Sequence, residues 1–568
     1  MKSEHTATGT TWVTLERRVL ALGATVFFLL AGGPAGLNPD GLEMIAMGRG
    51  WIGLGPDLPA GGYWPPLWAA LVTLPAVLPD AWFGSATFSD GIAAGRLLNL
   101  LLAGAIALPL HHVVSRIGGP AAARLAVLLY VLLPAVREHA VVLDARVLGS
   151  VLALSCLSWA VEAHFRAVER APLRSTSQAW VAAGVAAALA GLTRPEAMLF
   201  PLLLASGAVA SAWQLRSPVR AAAQRALLLL AAALPGLLRP GAELRAWESY
   251  AGPWLGIWPS RDLVALFGAN SAPTGYREFV LDASEAGLGS PPLPLENFLA
   301  GLPAGLSLLR AGLPAATGAL LLVLAVLGGL VLLRAPRLTP RVVLPGFGIL
   351  LLPILVLPQA RDQPTTSTNL IYFVPVLCAA AAIVLSPPMR TSRVKSASTY
   401  LLSLLIGLAC IAEAHLGPYR AAPPSFHKGT DIAETMRLFL NLHPPASGRV
   451  AATLSTRGIV FRADLEPIPL PSGWEPWDAP PGAGVLVSSM DLRGADGGRG
   501  RALIEDPAWT IRYITFEDEL SAWSAWVAAE ATNRPPPTLH RHAHWLLYLE
   551  RREPGASSGA QQHKIRAR

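Results

Sequence analysis

Three cysteines in 568 residues give no disulfide framework, and Cys156, Cys378 and Cys410 each sit inside an apolar run without metal-ligand spacing. They read as packing residues. Charge is also scarce. Only 14% of the chain is Asp, Glu, Lys or Arg, against about 25% in soluble domains, while 52% is hydrophobic and the mean hydropathy is +0.44. A soluble single domain is excluded. Lysine is nearly absent beside abundant arginine, so an Arg at any one position says less than usual about anion recognition. The chain has no Gly-rich nucleotide loop and no internal repeat.

What the chain does have is apolar runs long enough to span a bilayer, roughly 17 to 25 residues each. They lie near 19–36, 92–113, 120–136, 147–165, 179–193, 196–213, 222–238, 313–333, 342–358, 370–387 and 399–416. The expected fold is an all-α polytopic membrane protein of about eleven transmembrane helices. The net charge of +8 is carried in short arginine clusters between runs, which orients a membrane chain rather than binding nucleic acid. With the N-terminus inside, the inner loops hold Arg17 and Arg18; Arg116; Arg166, Arg170 and Arg174; Arg216, Arg220 and Arg225; Arg334, Arg337 and Arg341; and Arg390, Arg393 and Lys395. A plasma-membrane location follows, with a cytoplasmic N-terminus and an extracytoplasmic C-terminus.

The outer segments are then 37–91, 137–146, 239–312 and everything after about 417. In the first, Leu42, Ile45 and Ala46 share a helical face, and Pro66 to Leu78 is apolar but too short to span, suggesting helices in the interface. Tyr63, Trp64, Trp68 and Trp82 suit that depth. Residues 417–553 read as a small α/β domain, with a helical pattern at Asp431 to Leu442. Strand-like runs stand at Val450 to Leu454, Val485 to Ser489, Thr510 to Phe516 and Trp545 to Leu549. Residues 554–568 read as a disordered tail, leaving 1–416 as the membrane domain.

Four outer sites carry ionisable groups. Asp40, in Asn38-Pro39-Asp40-Gly41-Leu42-Glu43, is either a reactive carboxylate or a helix cap within a turn. The run from Arg137 to Arg146 holds Glu138, His139 and Asp144, with solvation of a helix mouth and capping by Asp144 as the structural alternative. In Thr193-Arg194-Pro195-Glu196, Pro195 starts a helix and leaves Arg194 beside its positive end, a seat for phosphate, or else a snorkelling side chain. Arg361 and Asp362 precede Asn369 and Tyr372, where an ordinary ion pair is the alternative. His540, His542 and His544 alternate as on one strand face, without a carboxylate or Cys partner, and are set aside as a metal site.

From about residue 20 to 390 the chain resembles the GT-C superfamily of polyprenyl-phosphate-sugar-dependent glycosyltransferases, specifically bacterial relatives of protein O-mannosyltransferases and the lipid A aminoarabinose transferase. The matching pieces are Asp40-Gly41, Tyr63-Trp64-Pro65-Pro66-Leu67, Gly95-Arg96-Leu97, Leu133-Pro134, Leu143-Asp144-Ala145, the run from Gly191 to Glu196, and Tyr372-Phe373-Val374-Pro375. None is specific alone; their order and common outer side carry the resemblance. The family's adjacent acidic pair is missing, since Gly41 follows Asp40, and Trp64 stands where many relatives have His.

The resemblance implies a catalytic aspartate at Asp40, a second acidic position at Asp144, and Arg194 at the carrier phosphate. Glu196, Tyr63, Arg361, Tyr372, Glu138 and His139 complete the set as substrate-binding candidates. The donor would be a sugar on polyprenyl phosphate, and the acceptor a protein, lipid or glycan hydroxyl, with inversion in a single displacement. A Mg²⁺ or Mn²⁺ ion has a place only if Asp40, Glu138 and Asp144 converge. A transporter is the main alternative, weakened by the scarcity of mid-membrane acidic residues and of repeat symmetry. A lipid-linked glycan polymerase or ligase is the closer enzymatic one.

Overall fold

The computed structural model describes residues 4–32, scattered positions within 41–74, 88–169, 172–193, three positions within 204–209, 219–237, most of 313–334, 373–386, 393–416, 430–452, and parts of 456–469, 483–488, 509–516 and 545–551. Of the expected spans, 342–358 and most of 196–213 lie outside these residues. The helices are α1 (Glu4–Ala31), α2 (Phe88–Ala105), α3 (Ala107–Gly118), α4 (Pro120–Leu132), α5 (Pro134–Ala140), α6 (Arg146–Val168) and α7 (Leu173–Gly191). They continue with α8 (Val219–Leu237), α9 (Ala319–Arg334), α10 (Val374–Leu385), α11 (Arg393–Leu416) and α12 (Thr430–Leu442).

Where about eleven spans are expected, two segments among the described residues are long and apolar enough to cross a membrane: Asp90–Gly118 and Arg146–Val168. A third counts if α4 and α5 are taken together, and four further apolar helices are shorter. At 1.5 Å per residue Asp90–Gly118 is about 44 Å long, more than the hydrocarbon thickness of roughly 30 Å. Large apolar side chains stand exposed along α1, α9 and α11, among them Leu22, Leu30, Val323, Leu330, Leu401 and Leu405. That is costly in water and ordinary against lipid tails.

Local sequence explains the breaks. Gly119 takes φ of 88° between α3 and α4, a left-handed conformation that costs glycine little. Leu133 is extended, at φ −67° and ψ 131°, because the ring of Pro134 disfavours a helical residue before it. The helix therefore bends by 62°. The expected span 120–136 accordingly ends at Leu132, and α5 is aimed separately.

The core is built from small residues that let helices approach. Ala179, Ala183, Ala186, Ala187 and Ala190 of α7 are buried, and α7 packs between α6 and α8. A Cβ on Gly184 would overlap the Leu229 carbonyl, so glycine is required at that crossing. The three cysteines are buried and free, and Cys156 donates Sγ–H to the Ala183 carbonyl at 3.2 Å. Their reading as packing residues agrees with this.

The C-terminal sheet comprises β1 (Arg449–Ala452), β2 (Glu466–Pro469), β3 (Gly484–Ser488), β4 (Trp509–Phe516) and β5 (Trp545–Arg551), in the order β2-β1-β3-β5-β4. The first three are parallel, and β5 runs antiparallel to β3 and β4. Met436 and Leu440 of α12 cover Val450, Leu486 and Tyr548. Strand β2 carries Pro467 and Pro469, residues that argue against a strand in sequence but are tolerated at a sheet edge.

Candidate functional site

Of the predicted site residues, Glu138, His139 and Asp144 are described. Asp40, Tyr63, Arg194, Glu196, Arg361 and Tyr372 lie outside the described residues, as do His540, His542 and His544. Described residues close in sequence to several of them, Gly41, Leu67, Leu143 and Leu192, meet at one end of the helix bundle.

Gly41 is buried against the turn before α6, where a Cβ would overlap the carbonyl of Leu143. Gly41 and Leu143 are thus in close contact, and they are the sequence neighbours of Asp40 and Asp144. A short helix at residues 67–74 follows, and its Leu67 N–H donates to the Leu192 carbonyl at 2.9 Å, at the end of α7 and two residues before Arg194. Gly95 of α2 allows Leu143 and Trp68 to close over it: a Cβ there would stand 3.1 Å and 3.4 Å from them. Met44, Ile45, Trp68, Val72, Leu143 and Leu148 form one apolar cluster under these segments.

Trp68, expected as an interfacial aromatic, is fully buried. Its indole Nε1–H donates to Asn99 Oδ1 at 3.0 Å, which lets a buried indole keep a hydrogen bond. Asn99 in turn donates from Nδ2 to the carbonyls of Val142, at 2.7 Å, and Asp144, at 3.1 Å. Asn99 gives no motif signal in sequence. Only its polarity within the apolar α2 marks it.

Asp144 is 3% exposed and meets Arg146 through both oxygens. The Arg146 N–H donates to Oδ1 and the guanidinium to Oδ2, each at 2.7 Å. The carboxylate therefore caps the start of α6, beside the positive end of the helix dipole. This is the structural alternative set out for Asp144. His139 is buried at the end of α5, where its carbonyl accepts the Val142 N–H at 3.1 Å, and Glu138 is half-buried. A cation at Asp144 would face the Arg146 guanidinium, so Asp144 in this pairing does not fit a metal ligand. Among the described residues no three His, Cys, Asp or Glu side chains gather as a metal site.

Arg96 of α2 donates to the Gly32 carbonyl at 3.1 Å, tying α2 to the end of α1. At the opposite end of the bundle a second polar cluster forms. Glu162 accepts from Arg116, at 2.9 and 3.0 Å, and from Arg166, at 2.8 Å, while Glu16 accepts from Arg124 at 2.7 and 2.8 Å. The arrangement at the Asp144 end offers a buried, preorganised floor where residues 41, 67–74, 142–144 and 192 converge. Catalysis by positioning and by fixed dipoles needs that kind of surface.

No protein-family model matches the chain, and no curated protein matches it. Among solved structures, it is similar to the oligosaccharyltransferase AglB of Archaeoglobus fulgidus in complex with an inhibitory peptide and a dolichol-phosphate. Identity there is 13%, coverage 87% of this chain and 69% of that one, and the TM-score 0.49. The same enzyme in complex with Zn and sulfate gives 14% identity, 83% and 68% coverage, and a TM-score of 0.46. ArnT from Cupriavidus metallidurans bound to undecaprenyl phosphate gives 14% identity, 95% and 98% coverage, and a TM-score of 0.46.

Proposed function

We propose that the chain is a membrane glycosyltransferase of GT-C type, moving a sugar from a polyprenyl-phosphate carrier to an acceptor hydroxyl at the outer membrane face, with inversion. The observation that supports this reading is the meeting of three separated outer segments. Gly41 rests on Leu143, and Leu67 is bonded to Leu192. These contacts lie one residue from Asp40, one from Asp144 and two from Arg194.

A sugar on lipid phosphate already has a good leaving group. The protein must activate the acceptor hydroxyl and hold the departing charge. Asp40 takes the hydroxyl proton as the glycosidic bond forms, a role worth roughly a hundredfold to ten-thousandfold. The phosphate leaves with the electron pair of the broken bond, and Arg194, joined by Arg361, neutralises it. Glu196, Tyr63, Tyr372, Glu138 and His139 line the sugar and carrier site. Asp144, held by Arg146, anchors the start of α6 and shapes the floor. Residues 1–416 carry the transfer and 417–553 stand outside, in a plasma-membrane protein with a cytoplasmic N-terminus. The acceptor is a protein, lipid or glycan.

The test is transfer by the purified protein in proteoliposomes supplied with polyprenyl-phosphate hexoses and a mixed envelope-acceptor fraction, read as labelled product and released polyprenyl phosphate. Asp40→Asn should lower kcat by about 10²-fold or more. Arg194→Ala should lower kcat/KM by a similar factor. Unchanged turnover in Asp40→Asn removes Asp40 from the chemistry.

A further inference from the structure

We propose that Asn99, with Trp68, is the positioning device of the outer site, a single buried amide that sets the mutual placement of three segments. The catalytic consequence rests on the glycosyl-transfer reading above; the structural link does not. Asn99 is wholly buried in an apolar helix, where an amide is costly unless hydrogen-bonded. All three hydrogen bonds of the amide run to other segments, so the amide is explained by what it holds.

Each end of the amide holds a different segment. Oδ1 accepts from Trp68 on the 67–74 helix, whose Leu67 is bonded to Leu192. Nδ2 donates to the carbonyls of Val142 and Asp144, which bracket Leu143, the residue on which Gly41 rests. Position errors are therefore shared. If the amide is lost, the 142–144 turn loses both donors, the support under Gly41 shifts, and the register between residues 67–68 and 192 loosens. Displacements near 1 Å at a reacting centre are worth about a hundredfold in rate.

Full-length protein in proteoliposomes tests this, with Asn99→Asp, Trp68→Phe, Gly41→Ala and the Asn99→Asp/Gly41→Ala pair. Asn99→Asp presents a carboxylate to two carbonyls and should lower kcat per folded molecule about tenfold or more. Trp68→Phe keeps an aromatic side chain, smaller than the indole, and removes the Nε1–H link to Asn99. It should act mainly on the donor KM, raising it about threefold to tenfold, through Leu192 and the neighbouring Arg194. Because Asn99 and Gly41 act through Leu143, the double variant should stay within about twofold of the weaker single variant instead of showing the product of the two losses.

Multiplicative losses, or Asn99→Asp with wild-type kcat and KM, overturn the proposal. If Asn99→Asp does not fold, the KM-against-kcat split of Trp68→Phe decides. If wild type transfers no sugar, the transfer reading fails on its own. The link is then read from thermal unfolding of Trp68→Phe, Asn99→Leu and their combination, where additive shifts in Tm overturn it and non-additive shifts uphold it.

Discussion

The Asp144–Arg146 pair shows how one spacing serves two purposes. An acidic residue two before an arginine at a helix mouth reads equally well as a reactive carboxylate and as a cap. The structure gives both oxygens to Arg146, with Asp144 4% and Arg146 8% exposed at the side chain. Breaking such a pair leaves a buried charge without its partner and costs about 3–5 kcal/mol, whereas replacing both partners by apolar groups costs far less. Asp144→Asn should therefore lower the Tm in detergent more than Asp144→Leu combined with Arg146→Leu. Equal losses in the two would show that the ion pair is not what the α6 start depends on.

Among the elements, prolines and glycines act where sequence rules say they should. Pro134 forces Leu133 extended and splits a predicted span into α4 and α5, while Pro467 and Pro469 hide a strand because edge pairing tolerates what a central strand does not. The C-terminal sheet also carries a pH-sensitive element. Tyr548 lies buried on β5, and its hydroxyl donates to Glu550 Oε1 at 3.0 Å. Burial first, and the Glu550 charge second, push its phenol well above the usual tyrosine value of 10.0. A pKa raised in the folded state means that ionisation favours the unfolded state. The sheet should hold its full stability below about pH 10 and lose it as pH rises beyond. Alkaline unfolding followed by tyrosine absorbance should show this limb in wild type and a shallower one in Tyr548→Phe.

At the scale of the whole molecule, two polar clusters among the described residues stand at the two ends of α6. Arg146 and Glu162 are 16 residues apart, about 24 Å along a helix. The Glu162 cluster with Arg116 and Arg166 is remote from the Asp144 end of the bundle. Glu162→Gln should lower stability by about 3 kcal/mol while leaving kcat per folded molecule unchanged, measured by thermal unfolding alongside the transfer assay. A matching fall in kcat would show that the two ends are coupled. Among the described residues, the apolar helical runs and four of the five strands were legible in the sequence. Each of these follows from hydrophobic period, chain length and local turn chemistry, which are properties of short stretches. Asn99, Trp68 and the contact between Gly41 and Leu143 were not legible. An isolated polar residue in an apolar helix, a tryptophan on a short helix and a glycine after an aspartate take their meaning from partners tens of residues away. Which carbonyl an amide reaches, and which backbone a missing Cβ admits, is settled only when α2, α6 and the first outer segment pack against one another.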